Sequence, residues 1–334
     1  MRYDDKDRES RNVEDRRGQR GGFGFPGGMR RPGGQGRQIR IPMGGGRGGG
    51  LSLTTLLIIG AIMLFFGINP IDVLRGNFGT PGMPDVSEIP QLPRTESSRV
   101  PGGNNPFQAP SQVPGRPATP EDELARFTKQ VLADTEDVWG RVFQRMGKRY
   151  EEPRLVLFTS YTTTACGTGQ AAMGPFYCPL DRTIYIDLAF YDELHRRFGA
   201  PGDFAQAYVI AHEVGHHIQL LLGIAERVQQ LKARVSTAQA NQLQVRMELQ
   251  ADCLAGVWAN LNHQMKDRLE PGDIEEGLRA AAAIGDDTIQ RRTTGRVVPD
   301  SFTHGTAEQR VRWFTRGFET GNVQACETFN AERL

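Results

Sequence analysis

The 334-residue chain has no CxxC pair among its four cysteines, Cys166, Cys178, Cys253 and Cys326, which argues against a zinc site built from cysteine. It has no real excess of either charge: a formal net charge of +1 removes any global case for a nucleic-acid partner. Periodic apolar residues are missing from residues 1–50, where Gly, Arg and acidic residues dominate. Too little could be buried there to offset the entropy of ordering, so a disordered Arg/Gly-rich tail is expected. After residue 20 the tail has arginines and no acids. Such an RGG-like tract could hold RNA, but no folded module stands beside it. No internal repeat is visible.

Charge is absent from residues 51–68, LSLTTLLIIGAIMLFFGI. That length is near the lower limit of about 17–20 residues for a helix crossing the hydrocarbon core. The flanks are polar or Gly-rich and no amphipathic face is seen, which favours a transmembrane anchor over a buried helix. The run begins far from the N-terminus and no small-x-small site follows it, which disfavours a cleaved signal peptide. Arg20, Arg30, Arg31, Arg37, Arg40 and Arg47 precede it without acidic relief, whereas Asp72, Arg75, Asp85 and Glu88 follow. By the positive-inside rule the N-terminus is then cytoplasmic and the rest of the chain lies outside. Residues 69–118, rich in Pro, Gly, Ser and Asn, read as a tether. Outside the cytoplasm the cysteines can pair. Proximity favours Cys166–Cys178, which leaves Cys253–Cys326 by elimination from the three connectivities that four cysteines allow.

The folded region is expected over 119–334. Thr119 as N-cap, Pro120 at the first helical position and the acids Glu121, Asp122 and Glu123 mark a helix start. Residues 153–160 read as a strand and 174–188 as a hairpin, with 183–187 its better strand. Helical patterns follow at about 202–222, 238–262, 273–283 and 306–321. A small mixed or antiparallel sheet followed by a bundle of helices is an α+β fold.

The chemistry is concentrated in FAQAYVIAHEVGHHIQLLLG. His212 and His216 are four residues apart and share one helical face, where two imidazoles can bind one zinc ion. Glu213 beside them can accept the proton of a water that zinc acidifies, and pass it to the leaving nitrogen. This is the HExxH arrangement of zinc metalloproteases. Gly215 costs the helix about 1 kcal/mol relative to Ala, which a close approach of backbone or substrate would explain. The third histidine of the HExxHxxGxxH form is absent, since position 222 is Leu. The next helix offers Glu248 and Asp252 in MELQADCLAGVWANL, again four apart. Glu248 could be the third ligand, and Asp252 could accept the other imidazole N–H of His212. Their apolar neighbours Leu249, Ala251, Leu254 and Val257 make a solvated acidic face a poorer reading.

HEVGHH together with ELQADCLAGVW resembles the neutral zinc metallopeptidase family of bacterial membrane-anchored proteins, of gluzincin type. The likeness runs over about 158–329 and takes in ACGTGQAAMGPFYCPLDRTIYIDLAFYDEL and HGTAEQRVRWFTRGF. It implies a zincin-like fold, one Zn2+ held by His212, His216 and Glu248, Glu213 as base, Asp252 behind the ligands, and a protein or peptide substrate that it does not specify. Combined with the anchor, it points to a single-pass protein of the bacterial cytoplasmic membrane with the peptidase domain outside.

Supporting roles are sketched more lightly. Residues 183–187 could be a sheet edge to which a peptide adds as a strand, or an ordinary core strand. His304 is a candidate donor to the tetrahedral oxyanion, with Tyr177 and Tyr185 as others. His217 points about 100° away from His216 around the helix and reads as structural. His195 and His263 receive no role. The alternative function is a catalytically silent, membrane-tethered binding or scaffold protein of the same fold.

Overall fold

The computed structural model describes residues 1–18, 119–170, 174–196 and 202–334. The apolar run 51–68, the tether 69–118 and most of the expected tail lie outside the described residues.

Helix α1, Pro120–Arg145, starts where the sequence places it. The Thr119 hydroxyl accepts from the Asp122 N–H while the Asp122 carboxylate accepts from the Thr119 N–H, so two otherwise orphaned donors are satisfied reciprocally. Its buried stripe includes Val131, Leu132, Val138, Trp139, Val142 and Phe143. Strands β1 (Val13–Asp15), β2 (Arg154–Phe158), β5 (Phe176–Cys178) and β6 (Thr183–Asp187) form a mixed sheet in the order β1-β2-β6-β5. The β1–β2 and β2–β6 pairs are parallel and β5–β6 is antiparallel. A separate hairpin of β3 (Tyr161–Thr164) and β4 (Gly167–Gln170) has Cys166 in its turn, and a disulfide ties it to Cys178 at the end of β5.

Of the two readings open for residues 183–187, the core strand holds: β6 pairs with β2 along its whole length and with β5 over 183–185, and all five of its residues are buried. Residues 1–18, expected to be disordered, belong to the folded unit. The apolar count missed what holds them, because the ties are mostly polar. The Leu155 N–H donates to the Asn12 carbonyl at 2.9 Å, and β1 continues the ladder. Tyr3 donates to Asp134, Arg8 and Ser10 bind Glu136, and Arg268 joins Asp134 to Asp7 while lying over the Tyr3 ring. Two buried acids on α1, Asp134 and Glu136, each need a partner, and the N-terminal segment brings some of them. Among the described residues no helix is long and apolar enough to cross a membrane.

The rest is helical: α2 (Ala189–Arg196), α3 (Asp203–Leu221), α4 (Ile224–Lys232), α5 (Thr237–Lys266), α6 (Asp273–Ala283), α7 (Asp286–Thr293) and α8 (Ala307–Thr320). Helix α5 is the spine, started by a capping box between Ser236 and Gln239. It meets α3 at Gly215, where an added Cβ would lie 3.0 Å from the Ala251 Cα, so the glycine inside the HEVGH segment serves a backbone approach. On its other flank, a Cβ at Gly317 would lie 1.9 Å from the Cys253 carbonyl, and one at Gly256 2.1 Å from that of Phe314. Gly305 adjoins Val245 and Leu249, Arg310 meets Asp252, and Gly321 adjoins Asn260. These contacts advance together along both chains, so α8 runs parallel to α5. Cys253 and Cys326 are disulfide-bonded, closing the short 3₁₀ turn Val323–Cys326 onto α5.

Candidate metal centre

Helix α3 presents His212 and His216 one turn apart, with ring centroids 4.8 Å from each other. Helix α5 presents Glu248 opposite them. Its Oε2 lies 3.2 Å from His212 Nε2 and 3.6 Å from His216 Nε2. The ligand atoms of the three residues lie within 4.8 Å of one another. A tetrahedral zinc ion with bonds of about 2.0–2.2 Å has ligand-to-ligand edges of roughly 3.4 Å, so the donor set and its spacing fit that ion.

The two imidazoles are turned the same way by different partners. His212 Nδ1 lies 2.8 Å from Asp252 Oδ1, and His216 Nδ1 lies 2.9 Å from Gln219 Oε1. A proton on each Nδ1 leaves each Nε2 lone pair facing Glu248. Asp252 is fully buried and also accepts from Tyr208 and from Arg310, whose Nε and Nη2 each lie 2.9 Å from a carboxylate oxygen. The second Glu248 oxygen accepts from Gln244 Nε2 at 2.8 Å.

Electrostatics point the same way. Glu213, Glu248 and Asp252 are three buried carboxylates against one buried guanidinium, Arg310, so two negative charges are left for a divalent cation to meet. Burial by itself would lower the basicity of both imidazoles. The Asp252 charge outweighs it at His212, which is raised to about 10, and Glu248 outweighs it at His216, which is also raised. Burial would raise Glu248, yet the facing histidines hold it well below the usual carboxylate range. The pocket favours positive charge between these three side chains. Glu213 differs: burial pushes its carboxyl up, only partly opposed by the histidines, and it makes no hydrogen bond among the described residues.

Of the other residues singled out in the sequence, His304 is half exposed, with Nδ1 3.2 Å from Asp286 Oδ1 and its N–H donating to Asp286 Oδ2. Its loop runs beside the turn of α5 that carries Glu248, because the next residue, Gly305, adjoins Val245 and Leu249. Tyr177 and Tyr185 do not serve the site: their hydroxyls are engaged with His217 Nδ1 and Asp181. His217 is buried, with Nε2 on the Glu151 carbonyl, as a structural residue would be. Four contributors were not foreseen: Tyr208, Gln219, Gln250 and Arg310. A signal existed for Arg310, a cation among Val311, Trp313 and Phe314 on an amphipathic helix, which must find a buried partner. A second acidic trio, Asp203, Asp273 and Glu276, already has a cation, since the Met1 ammonium lies 2.7 Å from Asp203 and 3.3 Å from Asp273.

No solved structure matches the chain. Protein YpfJ of Escherichia coli strain K12, itself uncharacterized, is 46% identical over 324 residues, 96% of either chain. The uncharacterized protein Rv2575 of Mycobacterium tuberculosis H37Rv is 43% identical over 219 residues, 63% of this chain and 73% of its own. The model of the family described as "putative neutral zinc metallopeptidase" matches residues 1–329, taking in the N-terminal segment as well as the histidine and glutamate helices, and the chain belongs to that family.

Proposed function

We propose that the protein is a zinc-dependent peptidase that binds one ion through His212, His216 and Glu248 and hydrolyses peptide bonds with Glu213 as general base. The observation that carries this reading is the convergence of two imidazole Nε2 atoms and one carboxylate oxygen in a buried pocket, with both Nδ1 atoms already engaged. Zinc, when bound, supplies Lewis-acid chemistry, acidifying water and polarising a carbonyl.

The protein's own residues do the rest. Glu213 accepts the proton of the attacking water on its carboxylate and delivers it to the leaving amide nitrogen. Its raised pKa brings it nearer to neutral pH, where a proton shuttle works best. Asp252, gripped by Arg310 and Tyr208, orients His212. His304, whose Nδ1 is engaged by Asp286, donates to the developing oxyanion from Nε2 only as the imidazolium, the form in which both ring nitrogens carry a proton. The two disulfides favour a site of action outside the cytoplasm, on envelope proteins or peptides. Membrane association through residues 51–68 belongs to this reading. A single crossing by that run does not, because residues 1–18 and 119–334 fold together.

The test uses the full chain. Purified wild type and Glu213→Gln are expected to carry equal zinc, close to one ion per chain, and only wild type is expected to cleave an unfolded protein. Equal cleavage by both would remove Glu213 from the mechanism. Cleavage by wild type stripped of metal would remove zinc.

A further inference from the structure

The orientation of His216 is set from a distance, by two carbonyl groups that are not part of the site. Gln219 Oε1 lies 2.9 Å from His216 Nδ1, and Gln219 Nε2 donates to the Met247 carbonyl at 2.7 Å and to Gln250 Oε1 at 3.1 Å. Gln250 Nε2 in turn donates to the Cys326 carbonyl at 2.9 Å. Gln219 and Gln250 are both buried.

A backbone carbonyl can only accept. The Cys326 carbonyl therefore demands the NH2 end of Gln250, which turns the Gln250 oxygen toward Gln219. That oxygen and the Met247 carbonyl both demand the NH2 end of Gln219. Only the Gln219 oxygen is then left for His216, and an oxygen of that kind demands an N–H. Each amide could be placed either way round on its own, but the chain of demands admits one arrangement. We propose that Gln219 and Gln250 are positioning residues for His216: an amide relay, anchored on the Met247 and Cys326 carbonyls, that holds the proton on Nδ1 and aims the Nε2 lone pair at the metal position beside Glu248.

The far anchor is fixed covalently. Cys326 is bonded to Cys253 of α5, with Cα atoms 5.5 Å apart, and Cys253 directly follows Asp252, which orients the other ligand histidine. The next residues are tied down as well: Thr328 Oγ1 donates to the Arg246 carbonyl at 2.7 Å, and the Arg246 guanidinium donates back to Thr328 and Ala331. The C-terminal turn is thus part of the support of the metal site, although no residue of it reaches the ligands. His212 takes its orientation from a charged group, Asp252, whereas His216 takes it from neutral amides that must be kept in register.

The inference rests on the zinc reading of the site, and the experiment separates the two. Zinc affinity is measured by chelator competition on full-length wild type, Gln250→Met, Gln219→Leu and Gln219→Glu. In parallel, 15N resonances of His216 are read in metal-free protein on the alkaline side of the imidazole titration. Wild type is expected to show the proton on Nδ1. Gln219→Leu is expected to keep its fold, lose that preference and bind zinc about 10–100-fold more weakly, the usual cost of losing an outer partner of a ligand, whereas Gln250→Met, in which the Met247 carbonyl still holds the Gln219 NH2 group, is expected to weaken both by a smaller factor. Gln219→Glu keeps an acceptor for Nδ1, and is expected to keep the tautomer at a cost in stability, because its second oxygen faces the Met247 carbonyl and Gln250 Oε1 with no proton to give. A wild-type protein without zinc affinity would end the metal reading, yet the resonances would still decide the relay. Unchanged tautomer and affinities within about twofold in both amide-removing variants would overturn the proposal.

Discussion

Arg310 holds Asp252 through two nitrogens, Nε and Nη2, each 2.9 Å from a different carboxylate oxygen, and both side chains are buried. Removing one member of such a pair leaves the other as an uncompensated buried charge, which costs about 3–5 kcal/mol. Arg310→Gln is therefore expected to lower stability by about that amount in denaturant titration. It should also weaken zinc binding about 10–100-fold, because His212 loses its fixed carboxylate. A variant with wild-type metal affinity would show that Asp252 orients His212 without Arg310.

The α5–α8 contact depends on glycines that leave no room. An alanine at Gly317 would drive its Cβ to 1.9 Å from the Cys253 carbonyl, a backbone atom that cannot rotate away. Gly317→Ala is expected to be destabilising by about 1–3 kcal/mol despite its better helix propensity. Gly140, in the middle of α1, has nothing within 4 Å of an added Cβ. Gly140→Ala is expected to stabilise by about 0.5–1 kcal/mol. Thermal unfolding of the two variants should shift in opposite directions, and a common direction would contradict the packing described.

The N-terminal segment should loosen in acid. Asp7 is held below the ordinary carboxylate range by its hydrogen bonds from Arg268, and Glu14 by those from Arg16. A depressed carboxyl adds stability that is complete above its unfolded pKa, about 4, and is lost as pH falls through the lower folded value. Hydrogen exchange of residues 2–16, corrected for intrinsic rates, is expected to lose protection below about pH 4 while β6 keeps its own. Protection that is equal at pH 5 and pH 3 would show that these ion pairs do not hold the segment.

Residues 1–18 and the domain should report one compartment. Asp5 and Glu319 are exposed at opposite ends of the described chain. Single cysteines placed there are expected to be labelled together, or protected together, by a membrane-impermeant maleimide on intact cells. Labelling of one alone would restore the single-crossing topology.

The pieces of this fold that were legible in the sequence are those with local signals. The Thr119–Asp122 cap, the apolar stripe of α1 and the periodic patterns of α3, α5, α6 and α8 each lie within one segment. The histidine pair on α3 and the acidic pair on α5 were visible for the same reason. What stayed hidden depends on partners far away in the chain. β1 is three residues long and finds its place only through β2. β6 carries a strand pattern, but no pattern says that strands will flank it on both sides. Gln219 carries no local signal of a role, which appears once Gln250 and the Cys326 carbonyl are brought beside it.

Strand β1 is made early in synthesis, yet its partner β2 follows only after the apolar run and the proline-rich stretch. Closing so long a loop adds little to its free-energy cost, which grows only as the logarithm of length. It does make the pairing slow compared with helix formation, since non-local contacts form late. During that interval β2 presents an open edge with unpaired backbone groups, the kind of edge that recruits other chains. The N-terminal strand is thus the built-in cover for an aggregation-prone edge, and a chain that lost it would expose that edge permanently.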